Sequence, residues 1–118
     1  MKSILYLHRK APHSTLATRE GIDAVLATAA FGVPTALLFL DDGVFQLRKG
    51  QTPEPSRLKR TAPMFEALDM YGVEDIFVCQ DSLQSRGLAA DDLVIPVQTV
   101  DTAAIQQLFT RFDHLLTF

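Results

Sequence analysis

Apolar residues in this chain gather in short unbroken runs, set apart by polar turns and by stretches with helical spacing. Ser3 to His8 reads SILYLH, Thr35 to Leu40 reads TALLFL, and Asp75 to Cys79 reads DIFVC. Runs of this length without apolar–polar alternation suit strands covered on both faces, so each predicts a buried parallel strand. Between the first two, Ile22, Val25, Leu26, Ala29 and Ala30 fall three and four apart and predict a helix over Leu16–Phe31 with one buried stripe. Ser14 or Thr15 can cap its start, and Gly32 and Pro34 end it. A looser pattern over Leu58–Tyr71 predicts a second helix with Pro63 near its start and Gly72 at its close. Asp81 or Ser82 caps a short helix through Arg86, ended by Gly87. Asp101 caps a helix over Thr102–Arg111 with Ile105, Leu108 and Phe109 on one face.

The remaining segments are less regular. Val44–Leu47 (VFQL) reads as a short extra strand or as a loop folding over the sheet's end. Gln51–Ser56, with prolines at 53 and 55, reads as an irregular linker. Val94–Val97 is a candidate fourth strand, its Pro96 fitting an edge, and Asp113–Phe118 is a last strand or an extended tail. Strands alternating with helices at this spacing predict an α/β three-layer sandwich with a mainly parallel sheet. At 118 residues the expectation is a single domain over 1–118.

Composition narrows the function classes. The 11 basic and 14 acidic side chains give a net charge of −3, with no basic cluster dense enough to hold a phosphate backbone, so direct nucleic-acid binding is disfavoured. The four apolar residues Ile4–Leu7 are followed at once by His8, Arg9 and Lys10, too short a run for a signal-peptide core or a membrane span. Cys79, the single cysteine, excludes an internal disulfide and fits a reducing, cytoplasmic setting. HRKAPHSTL after the first strand has neither a Walker pattern nor GxGxxG, which makes a nucleotide- or flavin-binding module the outsider. The expectation is no cofactor and no metal: His8 and His13 read as ordinary polar surface histidines, and His114 is remote from both.

Two places carry candidate chemistry. Asp41, Asp42 and Gly43 stop the second strand abruptly at the carboxyl edge, where open α/β sheets place their ligands; the alternative is a solvated turn. Cys79 ends the third strand just before a helix. There a sulfur lies near unpaired N–H groups and the positive end of a helix dipole, which favours the thiolate. The competing reading makes Cys79 a small buried hydrophobe.

Three segments together resemble one family. APHSTLATREGIDAVLATAAFG, LFLDDGVFQLRKGQ and FVCQDSLQSRGL are similar to the corresponding stretches of TusC and DsrF proteins, the segment after Asp91 being the loosest. The resemblance implies a DsrE/DsrF-like, flavodoxin-like domain acting as one subunit of a heterohexameric sulfur relay. The partners it implies are TusB-like and TusD-like small subunits and a TusE-type sulfur acceptor. The pathway it implies passes persulfide sulfur towards 2-thiolation of tRNA wobble uridine, or, in the DsrF branch, handles sulfur during its oxidation. In such complexes the sulfur-carrying cysteine belongs to a sister subunit at a position aligning with Cys79. Here Gln80 and Asp81 follow Cys79, and a nearby carboxylate opposes thiolate formation. The role implied is mainly structural, with Cys79 as the candidate persulfide position and an autonomous carrier as the alternative. Asp42, Gly43, Val44, Phe45 and Phe118 are the candidate contacts with neighbouring subunits.

Overall fold

The computed structural model describes residues 3–9, 17–47, 67–73, 75–93 and 95–118. The three unbroken apolar runs form the middle of the molecule. They are β1 (Ile4–His8), β2 (Thr35–Phe39) and β3 (Asp75–Cys79), joined by β4 (Gln98–Val100) and β5 (His114–Thr117). The five strands make one sheet in the order β4-β3-β2-β1-β5, and every pairing is parallel. The chain steps outward from β1 to β4 and then returns to place β5 on the far side of β1, so β1 is where its direction reverses.

Strand alternation divides the core in two. Tyr6, Leu37, Phe39, Ile76 and Val78 point to one face, where they meet Ile22 and Val25 of helix α1 (Ala17–Ala30). Val44 and Leu47 of a 3₁₀ helix (Asp41–Leu47), Leu68 of another (Ala67–Tyr71) and Leu83 of helix α2 (Gln80–Ser85) complete that layer. Leu5, Leu7, Ala36, Leu38 and Phe77 point to the opposite face and meet Leu108 and Ile105 of helix α3 (Thr102–Arg111). Helices on both faces explain why the central strands read as continuous apolar runs. Helix α3 starts where its cap predicts, with the Asp101 carboxylate accepting from the Ala104 N–H at 2.8 Å.

Several expectations shift. VFQL is neither strand nor loop but part of the 3₁₀ helix Asp41–Leu47, tightened by a bond from the Gly43 N–H to the Leu40 carbonyl at 3.0 Å. The fourth strand lies at Gln98–Val100 and not at Val94–Val97, after Pro96, whose missing N–H suits the approach better than the ladder. Of the Leu58–Tyr71 helix only Ala67–Tyr71 is described, as a 3₁₀ turn; the rest, with the Gln51–Ser56 linker, lies outside the described residues. Among the described residues no helix is long and apolar enough to cross a membrane.

Leu38 is fully buried at the centre of β2. Leu38→Ala should therefore lower the unfolding free energy by about 2–5 kcal/mol in urea denaturation.

Candidate functional site

Three strand ends meet at the carboxyl edge. β1 delivers His8 and Arg9, β2 delivers Leu40 to Gly43, and β3 delivers Cys79 and the start of α2. The β1–β2 ladder extends one step past the strands, the Leu40 N–H donating to the His8 carbonyl at 3.1 Å. The turn then folds back so tightly that a Cβ on Gly43 would overlap the His8 carbonyl oxygen. Only glycine fits there. Asp41, at φ 53, takes the left-handed conformation that such a turn requires and that Asp tolerates better than most residues.

Side chains from all three loops lace this edge. The Asp41 N–H donates to Ser82 Oγ at 2.9 Å, and Arg9 Nε and Nη2 both reach Asp41 Oδ2 at 2.8 Å. Arg86 Nε meets Asp42 Oδ1 at 3.1 Å while its Nη1 donates to the Ser82 carbonyl at 3.3 Å. These pairs are largely exposed, so each adds well under about 1 kcal/mol to stability; their effect is to fix loop positions. The acidic turn, weighed as a ligand site and as a solvated turn, has both carboxylates engaged by arginines. Among the described residues no three His, Cys, Asp or Glu side chains converge as a metal site requires.

His8 departs from its reading as a surface histidine. Its ring is buried, stacked on Phe39 at 4.9 Å and 17°, with the Phe118 ring 6.1 Å away on the same side as Tyr6. Helix α1 crosses it at Gly21, where a Cβ would come within 2.9 Å of His8 Cε1. A glycine inside a helix costs about 1 kcal/mol relative to alanine, and this close approach is what it serves. Burial lowers the His8 pKa from 6.5 to about 4, so the imidazole is neutral near pH 7. The sign of burial was legible in the run SILYLH, since His8 shares the parity of Ile4 and Tyr6. His13 lies outside the described residues.

Cys79 is 9% exposed. Alternation from Phe77 and its register with Val100 place it on the α3 side of the sheet, as the residue preceding α2. α2 is only six residues long, which leaves little helix dipole to act on the sulfur. Of the candidate contact residues, Asp42 is exposed and Phe45 half-buried, while Gly43 and Val44 are enclosed by the chain's own core. Val44 thus has no surface to offer a neighbour. Phe118 is half-buried over Tyr6 and His8. Sequence reasoning missed Arg9, Ser82 and Arg86, which no local pattern marks because their partners lie some forty residues away or at a strand end.

The fold and this edge define an α/β domain of one family: residues 2–118 match the DsrE/DsrF-like family, and the chain belongs to it. It is 45% identical to the TusC homologue of Vibrio vulnificus (strain CMCP6), over the whole of both chains. It is 36% identical to the intracellular sulfur oxidation protein DsrF of Allochromatium vinosum, over all of this chain and 97% of that one. The crystal structure of the E. coli ychN protein superposes with a TM-score of 0.86 over the whole of both chains at 21% identity, a likeness of fold.

Between pH 6.5 and 4 the unfolded chain binds a proton at His8 that the native chain does not. The stability His8 contributes is therefore complete above about pH 6.5 and is lost as the pH falls towards 4. Urea denaturation across that window should show a loss of about 3 kcal/mol attributable to this group, and His8→Gln should flatten that part of the profile.

Proposed function

We propose that this chain is a TusC-type subunit of a cytoplasmic sulfur relay that passes persulfide sulfur towards 2-thiolation of tRNA wobble uridine. The observation that carries the reading is the end-to-end similarity to a TusC homologue at 45% identity. Its partners in this reading are TusB-like and TusD-like small subunits in a heterohexamer, with a TusE-type protein as the downstream acceptor. The net charge of −3 fits delivery to another protein rather than to tRNA directly.

Within the relay the chain acts mainly in assembly. Sulfur transfer requires a thiolate to approach a persulfide along the S–S axis, and the 9% exposure of Cys79 supports a packed position over an open one. At the carboxyl edge, Asp42 and the half-buried Phe45 and Phe118 are the contacts this reading assigns to sister subunits, with Gly43 and Val44 forming the rigid base beneath them.

A second reading rests on the 36% identity to DsrF and places the chain in sulfur oxidation. In either branch Cys79 is the position at which this chain would carry sulfur itself. Its thiolate would attack the outer sulfur of a donor persulfide, the donor's S–S bond would break, and the donor would leave as a thiolate. One sulfane sulfur moves and no net oxidation occurs.

Co-expression with the two small partners, followed by native mass measurement before and after a persulfide donor, tests this with Cys79→Ser in parallel. We expect a complex that gains sulfur equally with and without Cys79. Uptake lost in Cys79→Ser would make this chain the carrier, and a chain that forms no complex would contradict the assembly role.

A further inference from the structure

Open α/β sheets seat their ligands outside the carboxyl ends of the strands, where neighbouring connections leave for opposite faces and a crevice opens between them. In this sheet that place is the carboxyl end of the β1–β5 pair. β1 lies where the strand order reverses, the chain leaves it for α1 on one face, and β5 is reached from α3 on the other. On the α1 side the Phe118 ring fills this place. Its centroid lies 6.0 Å from that of Tyr6 and 6.1 Å from that of His8, at interplanar angles of 24° and 25°. The α1 backbone meets the same ring at Gly21, where a Cβ would stand 3.0 Å from Phe118 Cγ. Two near-parallel rings and a stretch of helix without a side chain make a slot shaped for one flat ring.

Phe118 differs from the aromatic residues of the core. Phe39 is fully enclosed, whereas Phe118 keeps part of its surface exposed and follows β5, an edge strand whose four residues are all exposed. Two backbone bonds hold it to β1: the Phe118 N–H donates to the Leu7 carbonyl at 2.8 Å, and the Arg9 N–H donates to the Phe118 carbonyl at 3.0 Å. Bonds at the margin of a sheet open locally far more often than the whole fold unfolds. We propose that Phe118 is an intramolecular plug: its ring occupies the ligand crevice of the fold, in a slot that accepts a single flat aromatic ring, and its withdrawal opens that slot. The contact is autoinhibitory, closing the edge to small aromatic ligands while the ring is seated. A chain that fills its own crevice has no use for a phosphate-binding loop after β1, and HRKAPHSTL carries no such glycine pattern. The inference concerns the buried side of Phe118 and needs no sulfur chemistry, so it stands apart from the relay reading.

Thermal melts of the full chain with phenol, a single flat ring, and with cyclohexanol, a puckered ring of similar size, test it. Phe118→Ala empties the slot, so about 10 mM phenol should raise its melting temperature by at least about 2 °C, because a ligand bound only to the native state stabilises that state. Wild type should show no such rise, and cyclohexanol should raise neither protein. Phenol without effect on Phe118→Ala, or cyclohexanol matching it, would overturn the proposal. Hydrogen exchange of the wild-type chain tests the opening without any variant. The amides of Phe118 and Arg9, freed together when the ring swings out, should exchange at least about 100-fold faster than those of Leu37 and Leu38 in β2. Exchange of all four at one rate would make Phe118 a fixed core residue and overturn the proposal, whether or not Phe118→Ala folds.

Discussion

The carbonyl of His8 is where the architecture of this chain converges. It ends β1, accepts the Leu40 N–H, and has Gly43 pressed against it with no room for a side chain. On the other side of the same residue, the imidazole is stacked on Phe39, crossed by α1 at Gly21 and faced by Phe118. Interiors are packed at crystal-like density, so a contact this close transmits position rather than absorbing it. From the fixed Gly43 turn follow the left-handed Asp41, its bond to Ser82 and the two arginine pairs that tie the loops after β1, β2 and β3 together.

That rigid edge gives the proposed assembly role its physical basis. A subunit that presents Asp42 and parts of Phe45 and Phe118 on a fixed frame gives up little conformational freedom on docking, which is where association otherwise loses free energy. Cys79 stands at the same edge but turns toward α3 beside Val100, away from the α1 face that holds His8. Cys79 and His8 therefore lie on opposite faces of the sheet. They do not form a nucleophile–base pair, and the neutral imidazole contributes packing rather than charge.

Much of the fold was legible because its signals are local. Three unbroken apolar runs, a helical stripe over residues 22–30 and the Asp101 cap are each read within a few residues, and parallel strands follow from helices on both faces. The β4 position was missed because the apolar residues cluster just before it, at Val94, Ile95 and Val97, whereas QTV itself has two exposed residues of three. VFQL was misread because a 3₁₀ turn buries Val44, Gln46 and Leu47 in a pattern that resembles neither period 2 nor period 3.6. The Arg9–Asp41 and Arg86–Asp42 pairs were invisible for a different reason: ion pairs between loops are set by topology, which no single window of sequence encodes. Cys79 was located correctly on its strand end, yet the face it points to depends on register with Val100.

The account rests most directly on the claim that close approach at Gly43 organises the carboxyl edge. Amide hydrogen exchange and urea denaturation of Gly43→Ala measure it. The added methyl must push the turn off His8, so we expect a stability loss of at least about 1–3 kcal/mol. Protection should fall selectively at the Leu40, Asp41 and Gly43 amides, which bond to His8, Ser82 and Leu40. A Gly43→Ala protein with native stability and unchanged protection at those three amides would contradict it.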